Sequence, residues 1–373
     1  MDTGATDKRI TTVTALCIAA VVLYALWSLY QIIQTTAPDF SVLYLSAKNL
    51  LSGKNIYEDS ALFTGLGYPS VSLIPFIVFT FVPYTFAQAV WTIGSFTAFL
   101  GSTYFALRAV KKFSWKVWMI VSSIAFLSFP TKFTFGMGQA NFYALGLLLL
   151  GVSEIPMHPF VRRIVLALVL LLKPHLLLVY AGLYFTKHKA SVIWSVVILL
   201  LCTLILGIST GWMNELSYVK DVVPKLMRFE GRDVYYNQGI QGFVARLAGS
   251  SGVNISNVLS FIVFSFSYGK ILLKKKRTAF GILCILLPMF LLIEPLAWQH
   301  HAIFILPTMI ALWYTLSKRA IDSRVWVLAL SLFLISWNIK NPVYWQQSPV
   351  GALVLSHGFI GVMLTWVFAL IFL

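Results

Sequence analysis

The sequence predicts an all-α, polytopic membrane protein, and three observations carry that prediction. Charged residues make up 11% of the chain and hydrophobic ones 59%, whereas about a quarter of a soluble domain is charged. Apolar runs close to 20 residues long recur from end to end, for example 10–33, 190–210, 253–273 and 351–373, and that is the length that spans a hydrocarbon layer as a helix. The basic residues gather in short runs between such segments, at 187–189, 274–277 and 318–319, as cytoplasmic loops do under the positive-inside rule.

Taken in order, the segments predict roughly twelve spans: 10–33, 68–82, 86–108, 117–130, 140–153, 163–186, 190–210, 253–273, 278–293, 297–317, 325–338 and 350–373. Several are short, which suits helices that end at a cavity inside the protein. No polar stretch is long enough to fold separately, so residues 1–373 read as one membrane domain. The first run lacks a small-residue cleavage site and reads as a retained helix rather than a removed signal. Basic loops on the cytoplasmic side place loops 34–67, 211–252, 294–296 and 339–349 outside. The positives of 108–116 fall on the wrong side of this count, unless 68–82 is re-entrant and Lys173-Pro174-His175 is the tip of a short hairpin. Both arrangements keep loops 34–67 and 211–252 and Glu294 on one outer face.

Two segments do not read as spans. In 39–53, Phe40, Leu43, Tyr44, Ala47, Leu50 and Leu51 recur at helical spacing, with Asp39 at the N-cap position and Gly53 at the C-cap. This predicts an amphipathic helix on the outer membrane surface, directly after the first span. The segment 211–240 reads as a polar outer loop.

The net charge of +16 suits cytoplasmic loops and anionic lipid headgroups, and nucleic acid is not an expected partner. Cys17, Cys202 and Cys284 stand apart inside apolar runs, so no disulfide framework or metal signature is expected. No Gly-rich phosphate loop of nucleotide-binding type is present.

The search for chemistry is short because the chain has twelve acidic residues. Asp39, Glu58, Asp59, Glu215, Asp221, Glu230, Asp233 and Glu294 lie in or beside the outer loops, and carboxylates are the natural general bases here. Asp39, between Pro38 and an amphipathic helix, would meet a lipid headgroup at the water interface; capping alone would also explain an Asp there. Glu294, Trp298, His300 and His301 put polar groups at the start of an apolar run, where such groups are costly and point to function; interfacial histidines bonded to headgroups are the bland alternative. Lys173, beside a helix-breaking proline, either binds an anion at membrane depth or snorkels to the interface. Gln139 and Asn141 lie in a polar notch before a span, and Asn237 and Gln238 end the large outer loop; both also read as ordinary turns.

These pieces, in this order, resemble glycosyltransferase family 87, the polyprenol-phosphate-mannose-dependent mannosyltransferases of the GT-C fold. The resemblance rests on Asp39-Phe40 followed by Tyr44, Gly53 and Tyr57; on Tyr68-Pro69 with Pro75 and Pro83, where Ser70 replaces a family proline; on Gly138-Gln139-Ala140-Asn141; on Lys173-Pro174; on Asn237-Gln238; and on Trp298-Gln299-His300-His301. Glu294 stands where the family pattern is less acidic. The resemblance implies that Asp39 is the catalytic base, acting at the outer face of a plasma (inner) membrane. It implies that the donor is a polyprenyl-phosphate sugar, with mannose the expected sugar, and that the acceptor is a glycolipid or glycan. His300, His301 and Lys173 would hold the donor phosphate, with Arg228 and Arg232 in reserve. Tyr44, Tyr57, Gln139, Asn141, Asn237, Gln238, Trp298 and Glu294 would line the donor and acceptor. Such a donor is already activated, so no cofactor or divalent metal is expected, and direct displacement inverts the anomeric centre. The competing reading is a lipid or small-solute transporter. It calls for ionisable residues spread along several spans and for related halves, whereas the acids cluster in outer loops.

Overall fold

A computed structural model describes residues 3–57, 66–229, 231–317, 323–345 and 348–373. Glu58, Asp59 and Glu230 lie outside the described residues. The described chain is helical, with one isolated bridge between Asn237 and Trp298 and no strand among the described residues. The helices are α1 (Thr3–Gln34), α2 (Pro38–Leu51), α3 (Ile74–Ile77), α4 (Tyr84–Ala109), α5 (Trp115–Leu127), α6 (Phe129–Met137), α7 (Asn141–Val152), α8 (Pro159–Leu172), α9 (Leu177–Leu183) and α10 (Lys189–Thr210). They continue as α11 (Met213–Ser217), α12 (Val223–Met227), α13 (Ile240–Ala248), α14 (Val253–Leu273), α15 (Ala279–Ile293), α16 (Leu306–Ser317), α17 (Ser323–Ser336), α18 (Pro349–Leu355) and α19 (His357–Phe372).

Among the described residues, four stretches are long and apolar enough to cross a membrane: Ala15–Gln34, Tyr84–Ala109, Lys189–Thr210 and Ile240–Leu273. Counting three bent pairs as one span each raises the number to seven. This is a coarser picture than the twelve spans expected, and the differences have local causes. The run 163–186 is not one rod: α8 and the helix after it meet at 120°. Pro174 supplies no N–H to the turn before it, and it drives Lys173 out of the α region, to φ −145 and ψ 77. The run 117–130 breaks at Ser128, where α6 leaves α5 at 71° with Pro130 in its first turn. The run 297–317 opens as a tight 3-10 turn, Gln299–Ile305, before α16 begins. Within 68–82, 3-10 turns flank the short α3. The polar loop 211–240 contains α11 and α12.

Helix starts follow familiar chemistry. Proline stands in the first turn of α2, α6, α8 and α18, where a missing N–H costs nothing. Ser114, Thr278 and Ser348 cap α5, α15 and α18 through their hydroxyls. The core is centred on α15, whose residues Ile282–Leu292 are all buried. A short helix that is apolar all round and covered by protein is a core element. The outer faces of α1, α10 and α14 instead expose Leu23, Trp27, Leu200, Ile205, Phe261 and Phe266, an apolar belt suited to lipid.

The expected helix after the first span is present as α2, and its stripe is covered by protein. Phe40, Leu43, Tyr44, Ala47 and Leu50 are buried, whereas Leu51 is exposed. Phe40 stacks on Trp91 of α4 at 5.4 Å and meets Phe79 edge-on at 5.8 Å. Asp39 is not the N-cap: Ala37 holds that position, without a side-chain cap, and Asp39 sits in the first turn behind Pro38. The elbow between α1 and α2 is tied by Gln88 of α4. Its Oε1 accepts from Ala37 N at 3.1 Å, and its Nε2 donates to the Ile32 carbonyl at 2.8 Å and to Thr35 O.

α6 ends at Gly138 in the left-handed region, φ +69. Trp91 Nε1 donates to the Gly138 carbonyl at 2.8 Å. A Cβ on Gly138 would lie 2.7 Å from Phe40 Cβ and 2.9 Å from Ala37 Cβ. Gly138→Ala therefore combines an unfavourable φ with overpacking, each worth about 1–3 kcal/mol. We expect a clear drop in the thermal midpoint of the detergent-solubilised protein. Gly136→Ala, inside α6 with open space around it, should be neutral or stabilising by about 0.5–1 kcal/mol. Equal midpoints for the two variants would refute the close packing of α2 against this turn.

Candidate active site

Five segments converge on one polar cluster: the start of α2, the turn before α3, the α6–α7 turn, the break after α8, and the stretch after α15. The break delivers Lys173, which is 1% exposed. An ammonium so deeply buried must be paired or hydrogen-bonded. Lys173 Nζ donates to Tyr68 Oη at 2.6 Å and to Gln139 Oε1 at 3.1 Å. Gln139 Nε2 donates in turn to Asp39 Oδ2. The Gln139 amide has one possible orientation here, because its oxygen must face a donor and its nitrogen an acceptor. Asp39 and Lys173 are thus joined through a single side chain.

The other flank is built on Glu294, directly after α15. Its Oε2 lies 3.0 Å from His301 Nδ1 and its Oε1 lies 3.6 Å from His175 Nε2. His175 lies parallel to Phe290 at 5.3 Å and stacks on Tyr68 at 5.9 Å, so the two flanks share a wall. His300 is held through its backbone: Thr134 Oγ1 and Asn141 Nδ2 donate to its carbonyl at 3.0 and 3.4 Å. Its ring lies between Trp298 (6.5 Å, parallel) and Phe133 (5.1 Å, edge-on). Both of its ring nitrogens are buried without a protein partner, as is Asn141 Oδ1. Such groups mark places where a polar ligand would be satisfied.

Burial pushes the Asp39 carboxyl above the usual carboxylate range, against the downward pulls of the Gln139 N–H and the Lys173 charge. Burial also raises Glu294, against His175 and Lys173. Upward displacement brings a carboxylate nearer to neutral pH, where it serves best as a base.

The other expected site residues are placed differently. Asn237 Nδ2 donates to the carbonyls of Arg232 and Pro295, both at 3.1 Å. Gln238 Nε2 donates to Tyr235 O at 2.5 Å and Leu355 O at 2.9 Å, while its Oε1 accepts from Phe359 N at 3.0 Å. With Gln238 N on Ala297 O and Gln299 N on Tyr236 O, this pair laces the Trp298–His301 segment in place, its amides already occupied. Tyr44 is buried among aromatics and donates to Val82 O at 3.0 Å. Tyr57 donates to Tyr68 O at 3.0 Å and lies beside Tyr218. Arg228 is exposed, and Arg232 donates to the carbonyls of Arg228 and Leu226 on its own loop, so neither arginine joins the cluster.

Tyr68 and His175 were legible only as parts of motifs, and Gln88 was missed. A glutamine inside the apolar run 86–108 was the available signal, since polar groups there are costly. Ser70 and Glu215, hydrogen-bonded to each other, were missed as a pair because 145 residues separate them.

An apolar cavity of about 980 Å³ lies elsewhere in the bundle, lined by none of the cluster's polar side chains. It runs between α5, α16 and α17, from Lys112 and Tyr314 at one end to Thr131, Ala302 and Ser336 at the other. Ala302 directly follows His301 in the chain and is the lining residue nearest to the cluster in sequence.

Comparison with known proteins places the chain in a family, over a stretch that begins after Asp39. The family model of Glycosyltransferase family 87 matches residues 66–339. A polyprenol-phosphate-mannose-dependent alpha-(1-2)-phosphatidylinositol pentamannoside mannosyltransferase of Mycolicibacterium smegmatis (strain ATCC 700084 / mc(2)155) is 23% identical over 299 residues, 75% of this chain and 70% of that protein. A polyprenol-phosphate-mannose-dependent alpha-(1-2)-phosphatidylinositol mannoside mannosyltransferase of the same organism is 22% identical over 341 residues, 82% of this chain and 75% of that protein. No solved structure matches the chain.

The raised carboxyl of Asp39 has a consequence for stability. A carboxyl whose folded pKa lies above its unfolded value of 3.8 costs no stability while both states are protonated. It costs progressively more as pH rises through that window. Asp39→Asn should therefore melt no lower than the parent protein at pH 7, with the difference closing as pH falls below the ordinary carboxylate range. A variant that is less stable at neutral pH and not at acid pH would reverse the sign and contradict the burial of this group.

Proposed function

The chain belongs to glycosyltransferase family 87, and on that premise we propose that it transfers mannose from a polyprenyl-phosphate donor to a lipid-linked mannoside at the extracytoplasmic face, with Asp39 as general base. The observation that carries the reading is the Asp39–Gln139–Lys173 chain. It puts a proton acceptor and a fixed cation one side chain apart, and glycosyl transfer from a phosphate needs both. Asp39 takes the proton of an acceptor hydroxyl as that oxygen forms a bond to the anomeric carbon. The bond from that carbon to the donor phosphate oxygen breaks on the opposite face, and the configuration inverts. The departing lipid phosphate gains a second negative charge, which Lys173 and a ring N–H of the buried, unpartnered His300 would stabilise. The apolar cavity, lined in part by Ala302 next to His301, suits the hydrocarbon tail of such a donor. The acceptor class follows the two relatives, which are named as phosphatidylinositol mannoside and pentamannoside mannosyltransferases. Because the donor is already activated, the reading calls for no cofactor or metal.

Purified protein should transfer mannose from a polyprenyl-phosphate mannose to a phosphatidylinositol mannoside. Asp39→Asn keeps the shape and still accepts the Gln139 N–H, but it cannot take up a proton. Turnover should fall roughly 10²–10⁴-fold with donor binding retained. A fully active Asp39→Asn protein would remove Asp39 as the base.

His300→Ala and His301→Ala should each slow transfer by about 10²–10³, as for the loss of one donor to a developing charge. Single-turnover rates measure this directly. Full activity in both variants would move the phosphate site elsewhere.

A further inference from the structure

Among the described residues, one carboxylate oxygen is buried without a hydrogen-bond partner: Oε2 of Glu215, on α11. The other oxygen, Oε1, accepts from Ser70 Oγ. A carboxylate oxygen withdrawn from water without a donor is costly, and such an atom marks a place where a ligand's donor would be satisfied. The position of Glu215 is well fixed. Asn214, the residue before it, is buried, and its Oδ1 accepts from Ile56 N at 3.1 Å. That bond ties α11 to the chain leading into Tyr57. Tyr57 Oη donates to the Tyr68 carbonyl at 3.0 Å, and Tyr68 Oη accepts from Lys173 Nζ at 2.6 Å. Glu215 is thus anchored, through Ser70, two residues along the chain from the side chain that meets Lys173. Tyr218, three residues after Glu215, lies beside Tyr57 with ring centroids 5.9 Å apart, and both tyrosines are partly buried. The unmet atom is an acceptor, so its ligand must bring a donor. A phosphate brings none when ionised and is repelled by the carboxylate. A sugar hydroxyl is an uncharged donor, and aromatic rings around a few placed polar groups are the usual wall of a small-molecule site.

We propose that Glu215, with the rings of Tyr57 and Tyr218 beside it, forms a subsite for the sugar of the acceptor: Glu215 Oε2 accepts from a hydroxyl of the acceptor mannose other than the attacking one, and the tyrosines pack against the sugar ring. The inference rests on the glycosyl-transfer reading and adds to it the group that selects the acceptor. The attacking hydroxyl gives its proton to Asp39. The hydroxyl held by Glu215 keeps its proton, so the subsite binds and orients the sugar and takes no part in the bond changes. The Ser70 hydroxyl occupies Oε1, which aims the carboxylate and leaves Oε2 for the ligand. A proline, which the family pattern has at this position, carries no hydroxyl. The Ser70–Glu215 pair is therefore a departure of this chain from that pattern.

The test is direct binding to the full-length, detergent-solubilised protein, measured by titration calorimetry. The probes are a phosphatidylinositol mannoside and analogues that each lack one hydroxyl of the terminal mannose. The parent protein should bind one analogue roughly 10- to 100-fold more weakly than the full acceptor, the range for one hydrogen bond to a charged group. Glu215→Ala should bind the full acceptor more weakly by the same factor and no longer distinguish it from that analogue, because the two losses remove one bond and do not add. Tyr218→Ala should weaken every acceptor alike and keep the preference, since it removes packing and leaves the carboxylate. A residue that only pinned α11 would lower the thermal midpoint on replacement and leave the preference intact. An undiminished preference in Glu215→Ala, or a parent protein that binds all the analogues equally, would overturn the proposal. If Glu215→Ala does not fold, Glu215→Gln, which keeps the volume and loses the charge, should narrow the same preference, and an unchanged one would again count against it. Transfer is measured separately. A parent protein that binds these acceptors with the stated preference but moves no mannose from polyprenyl-phosphate mannose would refute the transfer reading while the mannoside site stood.

Discussion

The burial of the Lys173 ammonium is the constraint on which the site depends. Removing such a charge from water costs several kcal/mol even after relaxation, so every group around it must answer that cost. Tyr68 and Gln139 supply direct hydrogen bonds, and Asp39 and Glu294 supply negative charge on either side. These four groups come from four separate stretches of the chain, with Lys173 on a fifth, and each has its own reason to be fixed. A lysine that simply reached for the interface would organise none of them. Here the break imposed by Pro174 turns the chain back by 120° and holds the stem of Lys173 inside the protein.

The scaffold that presents Asp39 is mostly apolar. Phe40, the next residue, is fully buried against Trp91 and Phe76, so the start of α2 cannot rotate without opening an aromatic cluster. Gln88 fixes the elbow before it, and Gly138 lets the α6–α7 turn come within van der Waals distance of it. The same turn then presents Gln139 to Asp39. A proton acceptor aimed to within a fraction of an ångström is what catalysis by positioned groups demands, and here packing supplies the aim. The α15 core plays the matching part on the other flank, because its buried length ends directly at Glu294.

The two flanks have opposite chemical characters. On one, a carboxylate hydrogen-bonded by an amide faces the place where a hydroxyl would lose its proton. On the other, a largely buried glutamate lies between His175 and His301. Under the proposed reading, the first flank would take up the acceptor proton and supply a cation, and the histidines of the second would face the lipid phosphate. Placing both in a partly dehydrated interior strengthens each electrostatic interaction.

The sequence by itself determined the class of the protein: scarce charge and recurrent apolar runs leave few alternatives to a helical membrane protein, because the cost of burying charge is paid residue by residue and can be read locally. It also determined the α2 stripe, whose period is local, and the short roster of polar residues that are costly where they stand, Asp39, Gln139, Lys173, Glu294, His300 and His301 among them. The tertiary structure decided which of these meet. Gln139 lies 100 residues from Asp39 and 34 from Lys173, and no periodicity relates such positions. It also decided that Asn237 and Gln238 lace the histidine turn and that Asp39 stands inside the first turn of α2 rather than capping it. A side chain's partners are set by long-range packing. The breaks at Ser128 and Pro174 were not legible for the same reason: they interrupt runs that are continuous in hydropathy, and a bend in the backbone leaves no mark on the composition of a window.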